Sequence, residues 1–383
     1  MKVLHIITGL SGGGAETMLL KLLTQFDKDG GPECEVLCLS GSGQLEPAIA
    51  TLGVSITNLG MAPGLGAFLK YARLQAAITK SKPDIIQTWM YHANLMGALT
   101  KIWHSNTPLV WGLRQSNLDR TRSKKRTIMV AHAGAYLSHR FPESIVCVSD
   151  TARDVHVAMG YAAAKMLIIP NGFDADEFRP DMAARAEVRA GLGINKSSPV
   201  VGLIARFDSQ KDHRTFFDAS RAVYNKYPDA IFVLCGENID STNQALIHMI
   251  SEAGLENNVR LLGRRDDIAR ITAALDVAVS SSAYGEGFSN ALGEALLCGV
   301  PVVATDVGES RSIVRDAGFV VPPEDTLALG SSIGALIALD PLARRRLGAL
   351  GREHMSRHYG IATIARRYKS LYEEILAARG GRR

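Results

Sequence analysis

EGFSNALGEALLCGVPVVATDVG, Glu286 to Gly308, holds a polar loop, a helix and a buried strand in one line. Glu286 and Gly287 stand in a polar, glycine-containing loop behind the apolar run Val277 to Ser280. Ser289 or Asn290 is placed to cap a helix that carries Glu294 in its first or second turn, and Val302 to Ala304 is the next buried strand. Apolar strands alternating with helices imply a parallel sheet covered on both faces.

The same alternation extends in both directions. Val200 to Ala205, Ala230 to Cys235, Val259 to Leu262 and Phe319 to Val321 are further buried strands, separated by helical stretches such as Arg214–Tyr227 and Thr242–Ala253. Nearer the N-terminus lie Val3 to Ile7, Cys34 to Leu39, Asp84 to Thr88, Leu109 to Gly112 and Ser144 to Val148. Met18, Leu19, Leu22, Leu23 and Phe26 recur on one helical face behind Gly12, Gly13 and Gly14. Between the two series, residues 170–185 are turn-rich, with Pro170 and Pro180, as in an interdomain connection. A chain of 383 residues also exceeds one ordinary core. The expectation is two Rossmann-like α/β domains, 1–178 and 179–362, followed by a helix and basic tail over 363–383.

Bulk properties exclude several functions. A formal charge of +5 over this length gives no whole-protein attraction to nucleic acid. No run of about eighteen apolar residues is present to span a membrane. The apolar run VLHII begins at Val3, without a cleavable signal pattern. Five scattered cysteines suit a reducing, cytoplasmic setting, and Cys34 and Cys38 lack the second pair a zinc site needs. The loop GLSGGGAE lacks the spacing of a dinucleotide fingerprint, and no Walker-type phosphate loop occurs.

Two constellations carry chemistry. A helix start behind Ser289 offers unpaired N–H groups to a diphosphate, and the flanking carboxylates of Glu286 and Glu294 can accept sugar hydroxyls. Eight fully helical residues would span about 12 Å, close to the reach from a ribose to the sugar beyond its diphosphate. In GLIARFDSQKDH, Gly202 to His213, a strand ends at Arg206 with Lys211 five residues on. Ligands of open α/β sheets bind outside the carboxyl ends of strands, where two such cations can grip a diphosphate. Taken alone, a Glu pair at this spacing and an Arg/Lys pair on a loop are common surface features.

GGAE (Gly13 to Glu16), IPNGFDADEFRP (Ile169 to Pro180), the Arg206/Lys211 pair, VRLLG (Val259 to Gly263) and Glu286 to Gly308 together resemble the retaining GT-B glycosyltransferases of group 1, family 4-like, over nearly the whole chain. The resemblance implies that Glu286, with the backbone of Gly287, Phe288 and Ser289, meets the donor sugar, and that Glu294 meets the ribose. Arg206 and Lys211 match the pair that holds the diphosphate and the leaving nucleotide. Gly13 and Gly14 match the loop applied to the donor, and Arg264 and Arg265 follow the strand whose backbone meets the base. It also implies a C-terminal helix returning to the N-terminal domain, an acceptor held on that domain, and no metal or other cofactor, the nucleotide sugar being a substrate.

Where many relatives have histidines, this chain has Trp89 and Arg114. His92 lies close by, either as a polar contact to the donor sugar or as a helix-start histidine without a catalytic role, and Arg114 is the second candidate contact to sugar or acceptor. Asp174-Ala175-Asp176 spells a metal-binding D-x-D, but its place in the interdomain phrase points to turn and capping roles. Arg120, Arg122, Lys124, Lys125 and Arg126 put five cations into seven residues, either as a solvated loop or as a surface for anionic lipid or a diphosphate-linked acceptor. The expected activity is transfer from a nucleotide-diphosphate sugar, uridine-linked, to a glycan or polyprenyl-diphosphate-linked acceptor at the inner face of a bacterial cytoplasmic membrane. An epimerase or phosphorylase of the same fold, or a non-catalytic nucleotide-sugar-binding scaffold, is the alternative.

Overall fold

The computed structural model describes residues 1–60, 67–116 and 125–380, apart from the side chains of 67–70 and 125. Its strands are β1 Lys2–Ile7, β2 Glu33–Cys38, β3 Ser55–Asn58, β4 Ile85–Trp89, β5 Leu109–Leu113, β6 Ser144–Cys147, β7 Met166–Ile168, β8 Val200–Ile204, β9 Ile231–Cys235, β10 Val259–Leu261, β11 Val277–Ser280, β12 Val302–Thr305 and β13 Gly318–Val321. The chain forms two compact units. The first is Met1–Gly172 together with Ile361–Arg383, and the second is Phe173–Gly360. The passage at Gly172 falls within the turn-rich stretch 170–185, ahead of residue 178.

In the first unit the sheet runs β3-β2-β1-β4-β5-β6-β7, every pairing parallel. Alternation along β1 sends Val3 and Ile7 to one apolar layer and Leu4 and Ile6 to the other. The first layer is closed by Met18, Leu19, Leu22, Leu23 and Phe26 of the helix Gly14–Lys28. Ile361, Ile364, Ala365, Tyr368, Leu371 and Tyr372 of the helix Ile361–Gly380 complete it, so the C-terminal helix does return to the N-terminal unit.

The second unit repeats the scheme with β10-β9-β8-β11-β12-β13, again all parallel. Its main core packs Val201, Leu203, Phe232 and Leu234 against Phe216 and Phe217 of the helix His213–Lys226 and Leu329 and Ile333 of the helix Thr326–Ala338. Both sheets are α/β and doubly wound. In each, strand order reverses once, between β1 and β4 and between β8 and β11, and the loops leaving those carboxyl ends line the natural ligand crevice.

Candidate functional site: the β8/β11 crevice

Arg206 and Lys211 leave β8, and Glu286 leaves β11, so the reversal of strand order brings the two chemistry-bearing loops of the second unit together. Their positions are built locally. Asp208 accepts from the Gln210 N–H at 2.9 Å and so winds the turn Ser209–Lys211. Asp212, in the left-handed region at φ 44, caps the helix His213–Lys226 by accepting from Thr215 N–H at 3.1 Å. Ser281 Oγ donates to the Lys211 carbonyl at 2.7 Å, and Ala283 N–H to the Gln210 carbonyl at 2.9 Å, which stitches the β8 loop to the β11 loop.

At the centre, Lys211 Nζ pairs directly with Glu286 Oε2, and Ser282 Oγ donates to the same oxygen at 3.0 Å. The two charged side chains are only 17% and 13% exposed, which leaves the pair largely out of water and coupled. Arg206 is more open, held loosely by Asp208 at 3.4 Å and Gln210 at 3.5 Å. Burial works against the Asp208 carboxylate, but the Gln210 N–H and the Arg206 and Lys211 cations outweigh it and hold its pKa low. Next to the cluster, His213 is buried with neither ring nitrogen partnered among the described residues. Burial, then the Lys211 charge, push its pKa down to about 4, so it stands as a neutral ring against Phe207.

The helix of the opening motif is Asn290–Leu297, with Ser289 as N-cap. Ser289 occupies the expected N-cap position, but its buried hydroxyl makes no cap bond. Glu286 therefore lies four residues ahead of the helix, in loop, whereas Glu294 sits in its second turn, half-buried. Phe288 turns inward on Phe173 and Tyr359, with ring centroids 5.9 and 5.3 Å away. Gly308, at φ 61, approaches so closely that a Cβ there would lie 1.8 Å from the Glu286 carbonyl oxygen. Only glycine fits, and the loop's path depends on it.

Arg265, one of the expected donor contacts, does not join this cluster. It follows the edge strand β10 and is bound by both Asp267 oxygens at 2.8 Å. Arg264 lies beside it in the same loop.

In the first unit, Gly13 is the N-cap and Gly14 the first residue of the helix Gly14–Lys28. Glu16 Oε2 accepts from the Gly12 and Gly13 N–H groups at 2.6 and 2.8 Å, a cap that the glycine run did not announce. His92 is the third residue of the helix Met90–Thr100, which begins with Met90 at φ 72, a strained corner for a non-glycine residue at the end of β4. Burial and Arg126 lower the His92 pKa.

Trp89 and Arg114 are committed to the protein itself. Trp89 Nε1 donates to His5 Nδ1 at 3.2 Å, and Arg114 lies over the Trp89 ring at 5.2 Å. Arg114 also donates to Asn171 Oδ1 at 2.9 Å and to the Tyr368 hydroxyl. It thus ties the C-terminal helix to the sheet rather than presenting a free guanidinium.

Asp174 Oδ1 accepts from Asp176 and Glu177 N–H groups, the turn role expected of the D-x-D decoy. Of the basic run, Arg120, Arg122 and Lys124 lie outside the described residues, and Lys125 and Arg126 open the helix Lys125–Ser138. No single helix among the described residues is long and apolar enough to cross a membrane. Ser282, Ser281, Asp208 and Gly308 escaped sequence reasoning. Only Gly308 carried a signal, as a glycine closing a strand.

Two family models match the chain, Glycosyltransferase Family 4 over residues 12–177 and Glycosyl transferases group 1 over residues 198–338. The chain is 26% identical over 350 residues to the lipopolysaccharide core biosynthesis mannosyltransferase LpsB of Rhizobium meliloti, covering 87% of this chain and 92% of the relative. It is 24% identical over 269 residues to an Escherichia coli UDP-Gal:alpha-D-GlcNAc-diphosphoundecaprenol alpha-1,3-galactosyltransferase, covering 69% and 68%. In fold it matches the crystal structure of Anabaena HepE in complex with UDP, with a TM-score of 0.85 and 23% identity over 98% of this chain and 100% of that one. With both family models falling on the two units and the Arg206, Lys211 and Glu286 loops meeting where the β8/β11 order reverses, the chain belongs to the GT-B glycosyltransferases of group 1, family 4.

Proposed function

We propose that the enzyme transfers a sugar from a uridine diphosphate donor to a glycan or lipid-linked glycan, with retention at the anomeric carbon. The observation that carries this reading is the Lys211–Glu286 pair at the β8/β11 crevice, with Arg206 beside it and the Asn290–Leu297 helix start behind it. The diphosphate lies on Arg206, Lys211 and the helix start, Glu294 takes the ribose hydroxyls, and Glu286 takes hydroxyls of the donor sugar. Gly13, Gly14 and His92 of the first unit are the further residues that the family resemblance assigns to donor and acceptor.

As the bond from the anomeric carbon to the diphosphate oxygen breaks, Arg206 and Lys211 neutralise the charge gathering on the leaving group. The acceptor oxygen bonds the same carbon from the face the nucleotide leaves, and its proton passes to the departing phosphate. No metal takes part, so added chelator leaves the rate unchanged. The uridine assignment and a lipid-linked acceptor draw support from the E. coli relative, whose name carries UDP-Gal and a diphosphoundecaprenol.

Incubation with UDP- and GDP-sugars, with and without glycan and polyprenyl-diphosphate-linked acceptors, tests the reading through released nucleotide. Acceptor-dependent release is the expected outcome. Interconversion of free donors would instead identify an epimerase, and donor binding without release under any acceptor would identify a scaffold.

A further inference from the structure

A cavity of about 540 Å³ opens in the second unit at the opposite ends of the same strands, bounded by Pro199 before β8, Asp276 before β11 and Pro301 before β12. It lies roughly one strand length, ~15 Å, from the Lys211–Glu286 crevice and takes no part in the chemistry above. Its volume is in the range of small-molecule sites.

The charge balance inside it is uneven. Asp276 faces three guanidinium groups, with Arg185 at 2.6 Å, Arg189 at 2.5 Å and Arg344 at 3.7 Å, and also accepts from the Val200 N–H at 2.8 Å. A single carboxylate satisfies two of these well and leaves the third at a distance. Asp181, the other acid on the wall, is engaged in capping Ala184 N–H. Lys196 and Arg345 stand exposed at the rim, and neither side chain has a partner among the described residues. Five cations thus line a cavity in which one carboxylate is available.

Burial, and then Arg185 and Arg344 repelling the same charge, hold the buried Arg189 below its usual pKa despite Asp276. Part of the cluster is explained as architecture, since Arg185 and Arg189 also bind the carbonyls of Ala274, Leu275 and Ser198. Arg344 likewise donates to the Leu339 carbonyl at 3.1 Å, so Lys196 and Arg345 are the lining cations that this architecture leaves unused. A carboxylate at such a site would add only two acceptor atoms, whereas a phosphate presents several oxygens to guanidinium forks arriving from different directions.

We propose that this cavity is a second anion site that binds a phosphate-bearing small molecule, with Arg185, Arg189 and Arg344 on its phosphate and Lys196 and Arg345 closing over it from the rim. The probe is inorganic pyrophosphate, titrated calorimetrically into the parent enzyme, Lys196→Glu/Arg345→Glu and Arg206→Ala/Lys211→Ala. Both rim residues are exposed, so an unchanged melting temperature is expected for that variant and separates a binding loss from unfolding.

The expected result is a binding event that survives Arg206→Ala/Lys211→Ala and weakens at least tenfold in Lys196→Glu/Arg345→Glu. The proposal is overturned if the rim variant binds pyrophosphate as the parent does, if all binding disappears in an Arg206→Ala/Lys211→Ala protein that still melts cooperatively, or if the parent binds none at millimolar concentration. If the donor-site reading also holds, the parent shows two pyrophosphate-binding events and Arg206→Ala/Lys211→Ala removes only one, whereas a single event untouched by that variant counts against the donor site and not against this cavity.

Discussion

Lys211 and Glu286 neutralise each other where little water reaches, so each is the condition for the other's burial. Lys211→Met strands a buried carboxylate and is expected to lower stability by about 3 kcal/mol, read by urea unfolding. Adding Glu286→Leu to Lys211→Met should recover much of that loss while activity stays absent. Recovery of activity in the double variant would count against the assigned chemistry. Gly308→Ala is a sharper probe of loop position. The new Cβ meets the Glu286 carbonyl, so turnover should drop tenfold or more while the far-ultraviolet dichroism is unchanged.

The buried histidines add a pH signature. Burial lowers the pKa of His5 to about 3 and, with Lys211, that of His213 to about 4, both from an ordinary 6.5. Between those values and 6.5 the unfolded chain binds protons that the folded chain refuses, so stability falls as pH falls through that window. His213 alone should cost about 2 kcal/mol between pH 7 and pH 5. Denaturant midpoints at the two pH values check this, and His213→Phe should shrink the difference.

Among elements, the helix Asn290–Leu297 carries the proposed nucleotide contact. Glu294→Ala is expected to weaken binding of the free nucleoside diphosphate about tenfold by calorimetry, with the fold intact. If binding is unchanged, the ribose assignment is wrong.

The strands and helices around this site were legible because apolar runs such as Val277 to Ser280 and Val200 to Ile204 are buried on both faces and leave little ambiguity. The edge strands β3 and β7 were not. Ser55–Asn58 is mostly exposed and Met166–Ile168 has only three half-buried residues, so neither leaves a two-residue pattern to read. Within the site, the Arg206, Lys211 and Glu286 positions stood out through charge at strand ends. Ser282 and Asp208 did not, because a hydroxyl or a turn aspartate acquires its role only once two distant loops have met. Arg114 acquires its partners in the same way. Its neighbour Tyr368 is 254 residues away, and only the packed sheet brings them together.

At the scale of the whole molecule, the first unit is discontinuous in sequence. Ending the chain at Gly360 deletes Ile361, Ile364, Ala365, Tyr368, Leu371 and Tyr372 from its core, a loss on the order of 10 kcal/mol and so comparable with the full stability of a domain. Such a truncated protein is expected to be insoluble or to lack protected amides in β1 and β4 by hydrogen exchange. A milder change, Tyr372→Phe, removes only the 3.2 Å hydrogen bond to Gln87 and should cost about 1 kcal/mol.

That discontinuity also sets an order of events on the ribosome. The N-terminal sheet is synthesised first, yet the helix that seals one of its faces begins 189 residues after Gly172, counting from 172 to 361. At ribosomal speeds of about 5–20 residues per second, the gap lasts roughly 10–40 s. Throughout it, Val3, Ile7 and Trp89 wait for partners that have not yet been made, while the second unit can complete its own core. The first half of the gene is therefore the last half of the protein to finish folding, and it is the nascent N-terminal sheet that a chaperone would have to shield.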